Sequence, residues 1–187
     1  PNAKLASEIT CLAAQHSNCV NPFIYPVDNP NHLIIPEGTA ILTGNMYEFL
    51  ITSVTIPNSV TIIEDYAFND TQLSNVNIPD SVVRIGEGAF SGTQLTNVNI
   101  PNSVTSIGDS AFDSCDALNS LTIGDNLATI GVNAFTSLTN LITLVIGNSV
   151  TSIDKSAFQR CFSLKDISIS SNLEFIGEKA FLSCRDL

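Results

Sequence analysis

Along most of the chain, apolar residues return in a fixed order and at a fixed distance. An Ala-Phe pair recurs at Ala67-Phe68, Ala89-Phe90, Ala111-Phe112, Ala134-Phe135, Ala157-Phe158 and Ala180-Phe181, with steps of 22, 22, 23, 23 and 23 residues. Five residues before each Phe stands an isoleucine: Ile63, Ile85, Ile107, Ile130, Ile153 and Ile176. Three before that comes another aliphatic: Val60, Val82, Val104, Leu127, Val150 and Leu173. A second pattern, apolar-x-x-apolar-x-Ile, runs through Ile51/Val54/Ile56, Leu73/Val76/Ile78, Leu95/Val98/Ile100, Leu118/Leu121/Ile123, Leu141/Leu144/Ile146 and Leu164/Ile167/Ile169. Its last three positions alternate apolar, polar, apolar with β-branched residues dominating, which predicts a short strand buried on one face. Pro57-Asn58-Ser59, Pro79-Asp80-Ser81, Pro101-Asn102-Ser103, Gly124-Asp125-Asn126 and Gly147-Asn148-Ser149 follow and end that strand in a turn.

One such unit cannot fold alone. About six large apolar side chains, at roughly 1.5–3 kcal/mol each when buried, do not offset roughly 1–2 kcal/mol of backbone entropy for each of about 22 residues. Stacking covers both faces of every Phe and Ile and lets each strand pair with its neighbours. The expected product is a right-handed parallel solenoid with coils about 4.8 Å apart. Around each Ala-Phe pair the segment has room for a 3₁₀ or single-turn helical piece, and Val-x-x-Ile is a candidate second strand on the convex side.

The unit from Leu95 through Val98, Ile100-Pro101, Val104, Ile107-Gly108 and Ala111-Phe112 to Cys115 resembles the BspA-like, or treponemal-type, leucine-rich repeat over roughly residues 51–187. Thr71, Thr93 and Leu138 stand where Cys115, Cys161 and Cys184 occur in other copies, a departure expected to affect packing only. The resemblance implies a leucine-rich-repeat solenoid of the α/β repeat class, a place on surface-exposed or secreted proteins, and adhesion to host, matrix or cell-surface proteins. It implies no chemistry.

Residues 32–187 are read as the repeat array. Its first copy is worn, Leu33, Ile35 and Pro36 matching strand and turn and Tyr47 taking the place of Phe; its last copy is incomplete, Leu187 opening another strand. Residues 1–31 carry no repeat; Leu5, Ile9 and Leu12 fall at helical spacing, which suits an N-terminal cap of helix plus loop. The array is expected either to stop short at Leu187 or to continue into more repeats or an anchor.

Eighteen acidic against seven basic residues give a formal charge of −11, which disfavours nucleic acid and anionic lipid as partners. No apolar run reaches bilayer length, and no signal-type stretch follows Pro1. Charged residues make up only 13% while Ser, Thr and Asn abound, a balance suited to an extracellular or cell-surface protein.

No enzyme emerges from these residues. Both histidines fall in or beside the cap, so no Ser-His-Asp set can be built within the repeats. Cys11, His16, Cys19 and His32 match no standard zinc spacing, and no metal or other cofactor is expected. Cys11 and Cys19 are a candidate disulfide if the protein is exported, and the in-phase cysteines read as core. Asp65, Glu87, Asp109 and Glu178 recur two after the isoleucine, interrupted by Val132 and Lys155, and read as a solvated edge and not a calcium ladder. Asn69-Asp70-Thr71 is the one N-glycosylation sequon.

The most informative surface is the one the repeat leaves variable. Between the buried strand positions lie Ser53 and Thr55, Asn75 and Asn77, Asn97 and Asn99, Ser120 and Thr122, Thr143 and Val145, and Asp166 and Ser168. Together they make a concave face of hydroxyls and carboxamides, able to bind an extracellular or host-surface protein. Tyr, Trp and Arg anchors are missing, so contacts are weak per repeat and add along the array. A carbohydrate-binding face and a structural spacer are the other readings.

Overall fold

In a computed structural model of the protein, the described residues are Asn29, 31–43, Met46 and 50–187. They wind into a stack of coils with two parallel ladders. The front ladder holds β1 (His32–Ile34), β3 (Ser53–Thr55), β6 (Asn97–Ile100), β8 (Ser120–Ile123), β10 (Thr143–Val145) and β12 (Asp166–Ser168). The second holds β2 (Ile41–Leu42), β4 (Ile62–Ile63), β5 (Arg84–Ile85), β7 (Ser106–Ile107), β9 (Thr129–Ile130), β11 (Ser152–Ile153) and β13 (Phe175–Ile176), so the Val-x-x-Ile segments do form strands.

Each ladder is broken once. On the front, Asn75 makes a single bridge to Ser53 and residues 73–78 form no regular strand, despite the pattern at Leu73/Val76/Ile78; β6 pairs only with β8. On the second, β7 and β9 are not paired, so β2-β4-β5-β7 and β9-β11-β13 are separate sheets.

The third side corrects an expectation. No helix occurs among the described residues; around each Ala-Phe pair the chain makes overlapping turns instead. The residues two before and two after each Phe have positive φ: Tyr66 and Asp70, Gly88 and Gly92, Ser110 and Ser114, Asn133 and Ser137, Ser156 and Arg160, Lys179 and Ser183. These left-handed residues stop a helix after each turn. They leave alternate N–H groups pointing along the stack, where Tyr66, Phe68 and Asp70 donate to the carbonyls of Glu87, Ala89 and Ser91 at 2.8, 2.7 and 2.8 Å. The pattern repeats coil by coil as far as Arg160, which donates to Leu182 O at 2.8 Å.

The core is a set of columns. Phe68, Phe90, Phe112, Phe135, Phe158 and Phe181 stack with ring centroids 5.0–5.4 Å apart and planes within 15°. Leu73, Leu95, Leu118, Leu141 and Leu164 form a second column, and Ile63, Ile85, Ile107, Ile130 and Ile153 a third, all buried. The worn first copy is a true coil, β1 pairing with β3 in the register His32↔Ser53, Leu33↔Val54, Ile34↔Thr55. Tyr47 lies outside the described residues. Met46 is buried and donates its N–H to Ala67 O at 3.1 Å, as Phe68 does to Ala89 O, so Met46 holds the backbone place of Phe there. Of the expected cap only Asn29 and Asn31 are described; Cys11, His16 and Cys19 are not among those residues.

The in-phase thiols are free and face inward. Cys115 donates to Phe90 O at 3.1 Å, Cys161 to Phe135 O at 3.5 Å and Cys184 to Phe158 O at 3.3 Å, each reaching back one coil. Burial pushes the Cys115 thiol up to about 12. The neighbouring Cys184 thiol, and then burial, push Cys161 up, while the Cys161 thiol lowers Cys184, which is only half-buried.

Candidate functional site

Strand alternation fixes what faces out. In β6, Val98 and Ile100 are buried while Asn97 and Asn99 are exposed, and β8 repeats this with Leu121 and Ile123 inside. Pairing sets the outward residues into two rows, Asn97↔Ser120↔Thr143↔Asp166 and Asn99↔Thr122↔Val145↔Ser168. Ser53 and Thr55 belong to the neighbouring piece of the ladder, joined to Asn75 by the single bridge. Asn77 is exposed on the same coil but outside regular pairing. All the candidate positions therefore lie on one side, with a seam between the Asn75/Asn77 coil and the Asn97/Asn99 coil.

One neighbour of these rows is His32, which opens the array in β1, with Nδ1 2.7 Å from Ser53 Oγ and Nε2 3.0 Å from Thr55 Oγ1. Leu33 is in phase with Val54, which puts His32 beside Ser53. Hydroxyls occupy both imidazole nitrogens, so no carboxylate orients the ring as acyl transfer by a Ser-His pair requires.

Charge is sparse on this face. Asp166 is the only carboxylate in the two rows, and Val145, 37% exposed, is their only apolar member. Elsewhere, Asp65 Oδ1 accepts the Glu87 N–H at 2.9 Å and meets Arg84 at 3.0 Å. Burial raises Asp113 above the usual carboxylate range. No three His, Cys, Asp or Glu side chains converge on a metal-sized site among the described residues. None of the helix-free described segments could cross a membrane as a long apolar helix.

The repeats match the model of the BspA type leucine rich repeat region in six copies, over residues 39–161 and 84–187. The chain belongs to the BspA-type leucine-rich-repeat family. No curated protein matches it. Among solved structures this BspA-type array is similar to a leucine-rich repeat protein from Bacteroides ovatus, 22% identical with a TM-score of 0.72, over 84% of this chain and 46% of that one. It is also similar to the leucine-rich repeat protein of T. pallidum, 23% identical with a TM-score of 0.62, covering 88% of this chain and 86% of that chain. A leucine rich cell surface protein from Faecalibacterium prausnitzii is 26% identical with a TM-score of 0.50, over 86% of this chain and 59% of that one. The chain thus spans under half the length of the Bacteroides protein.

Proposed function

We propose that this BspA-type array is a non-catalytic binding module of a secreted or cell-surface protein, recognising extracellular or host-surface proteins with the outward face of its front ladder. The observation that carries the reading is the pair of polar rows held in register over a fully apolar underside. A rigid backbone presents the side chains, so little ordering entropy is lost on binding. Family membership and a neighbour described as a cell surface protein support the surface location.

Each uncharged hydrogen bond contributes about 0.5–1.5 kcal/mol. Without aromatic or Arg anchors the contacts must add across coils, giving weak, avidity-dependent binding. The test sets the chain beside a variant with Asn75, Asn77, Asn97 and Asn99 changed to Lys, on arrayed matrix proteins and host cells. All four side chains are exposed, so the variant keeps its fold by circular dichroism. Saturable binding lost in the variant supports the reading. Two folded proteins that bind nothing would leave a spacer as the better account.

A further inference from the structure

A groove of about 720 Å³ runs across the coils where the front ladder ends and the turns begin. Asn99, Thr122, Val145 and Ser168 line its strand side, and Asn102, Asp125 and Asn148 its turn side. A smaller hollow of about 410 Å³ lies beside Asn77 and shares Asp80 with it. We propose that this groove receives a neutral oligosaccharide, free or carried by a partner protein. The inference rests on the reading of this chain as a recognition module and assigns it a second ligand class.

Several features converge on that class. Carboxamides and hydroxyls both donate and accept, as sugar hydroxyls do. No Lys or Arg lines the groove, and the Asp80 and Asp125 carboxylates repel phosphate, sulfate and uronate. Hydrogen-bonding side chains recur from coil to coil at the strand spacing of about 4.8 Å, Asn99, Thr122 and Ser168 on one wall and Asn102, Asp125 and Asn148 on the other, so a linear polymer laid across the coils meets partners along its length.

The turn wall is already ordered. Asp125 N–H donates to Asn102 Oδ1 and Asn148 N–H to Asp125 Oδ1, both at 2.8 Å. Asn99, Thr122 and Ser168 are left uncommitted among the described residues and point the same way. Val145 offers one exposed apolar side chain to the C–H face of a sugar ring.

The test is an array of neutral and acidic oligosaccharides probed with the full chain, an Asn99→Ala/Thr122→Val variant and an Asn75→Lys/Asn97→Lys variant. Neutral oligosaccharides should be retained more tightly as they lengthen. Removing the two groove side chains should weaken retention about tenfold, and the lysine pair, outside the groove, should leave it unchanged. A bound glycoprotein assayed before and after deglycosylation separates the carried source from the free one. Retention of acidic glycans instead, indifference to the groove variant, or no glycan binding at all overturns the proposal. Protein binding that responds only to the lysine pair, without glycan retention, would leave the protein reading standing and remove this one.

Discussion

Phe112 sits in mid-column with rings 5.0 and 5.4 Å away on either side. Truncating it removes two stacked faces and opens a cavity in a core with nothing to refill it, so Phe112→Ala should cost about 3–5 kcal/mol in urea unfolding. A loss under 1 kcal/mol would mean the coils slide to close the gap. Gly88 is a second sensitive residue. Its φ of 56° suits glycine, and a Cβ there would come within 2.5 Å of the Tyr66 ring lying over it. Gly88→Ala should therefore destabilise by about 1–3 kcal/mol, and adding Tyr66→Ala should recover the steric part but not the conformational part. The thiols differ in the same local way. In the unfolded chain Cys115 titrates at its ordinary 9.0, but in the fold only near about 12. Its contribution to stability is full below pH 9 and is lost as pH rises from there towards 12. Urea midpoints should fall across that window, less so in Cys115→Ala measured against its own neutral-pH value. At pH 8, alkylation followed by peptide mass spectrometry should find Cys184 modified well before Cys115 or Cys161; equal rates would contradict the burial described.

Elements in this stack are only as regular as the bonds between coils. Thr151 donates to Ala128 O and Asp154 to Ile130 O at 2.9 and 2.8 Å, but no corresponding bonds join the Phe135 coil back to the Phe112 coil across the unpaired β7 and β9. Hydrogen exchange read residue by residue should show the amides of Ala128 and Gly131 exchanging faster than those of Thr151 and Asp154. The break falls where the repeat changes length. Coils of 22 residues carry Thr71 or Thr93 followed by a single residue before the next Leu, and coils of 23 carry two residues there. Strand positions were legible because burial imposes a two-residue alternation. The turns flanking Phe were not, because the left-handed places are filled by Tyr, Asp, Ser, Asn, Lys and Arg as well as Gly, and no residue type announces them. The fit between neighbouring coils was equally hidden: Gly86, Gly88 and Gly92 leave room for Asp65, Tyr66 and Asp70 of the coil before, a match that exists only once the coils are stacked.

At the scale of the whole molecule, the repeat phase alone was enough to read the fold and the outward rows, since period and alternation decide both. The groove was out of reach, because it forms between strand ends and turns 23 residues apart and depends on how those turns bond to one another. Charge adds a long-range feature. Between residues 5 and 154 there are fourteen acids and one base, Arg84, whereas residues 155–187 hold five bases and four acids. Like charges crowded along one stretch repel, so the melting temperature should rise when about 0.5 M salt shortens the screening length to a few ångströms; a flat or falling response would show that these acids are already balanced locally.

The forward-pointing N–H groups beside the Phe column carry that asymmetry into the backbone. In each coil from Phe68 to Phe158, three peptide units donate towards the next coil and none on that side donates back, so their moments of about 3.5 D each line up and sum as they do in an α-helix, here with the positive pole towards the C-terminal coils. Side-chain charge is graded in the same sense, and the two fields reinforce each other. The Phe side of the stack is therefore a column of aligned peptide dipoles whose positive end lies at the coils that carry five of the chain's seven bases.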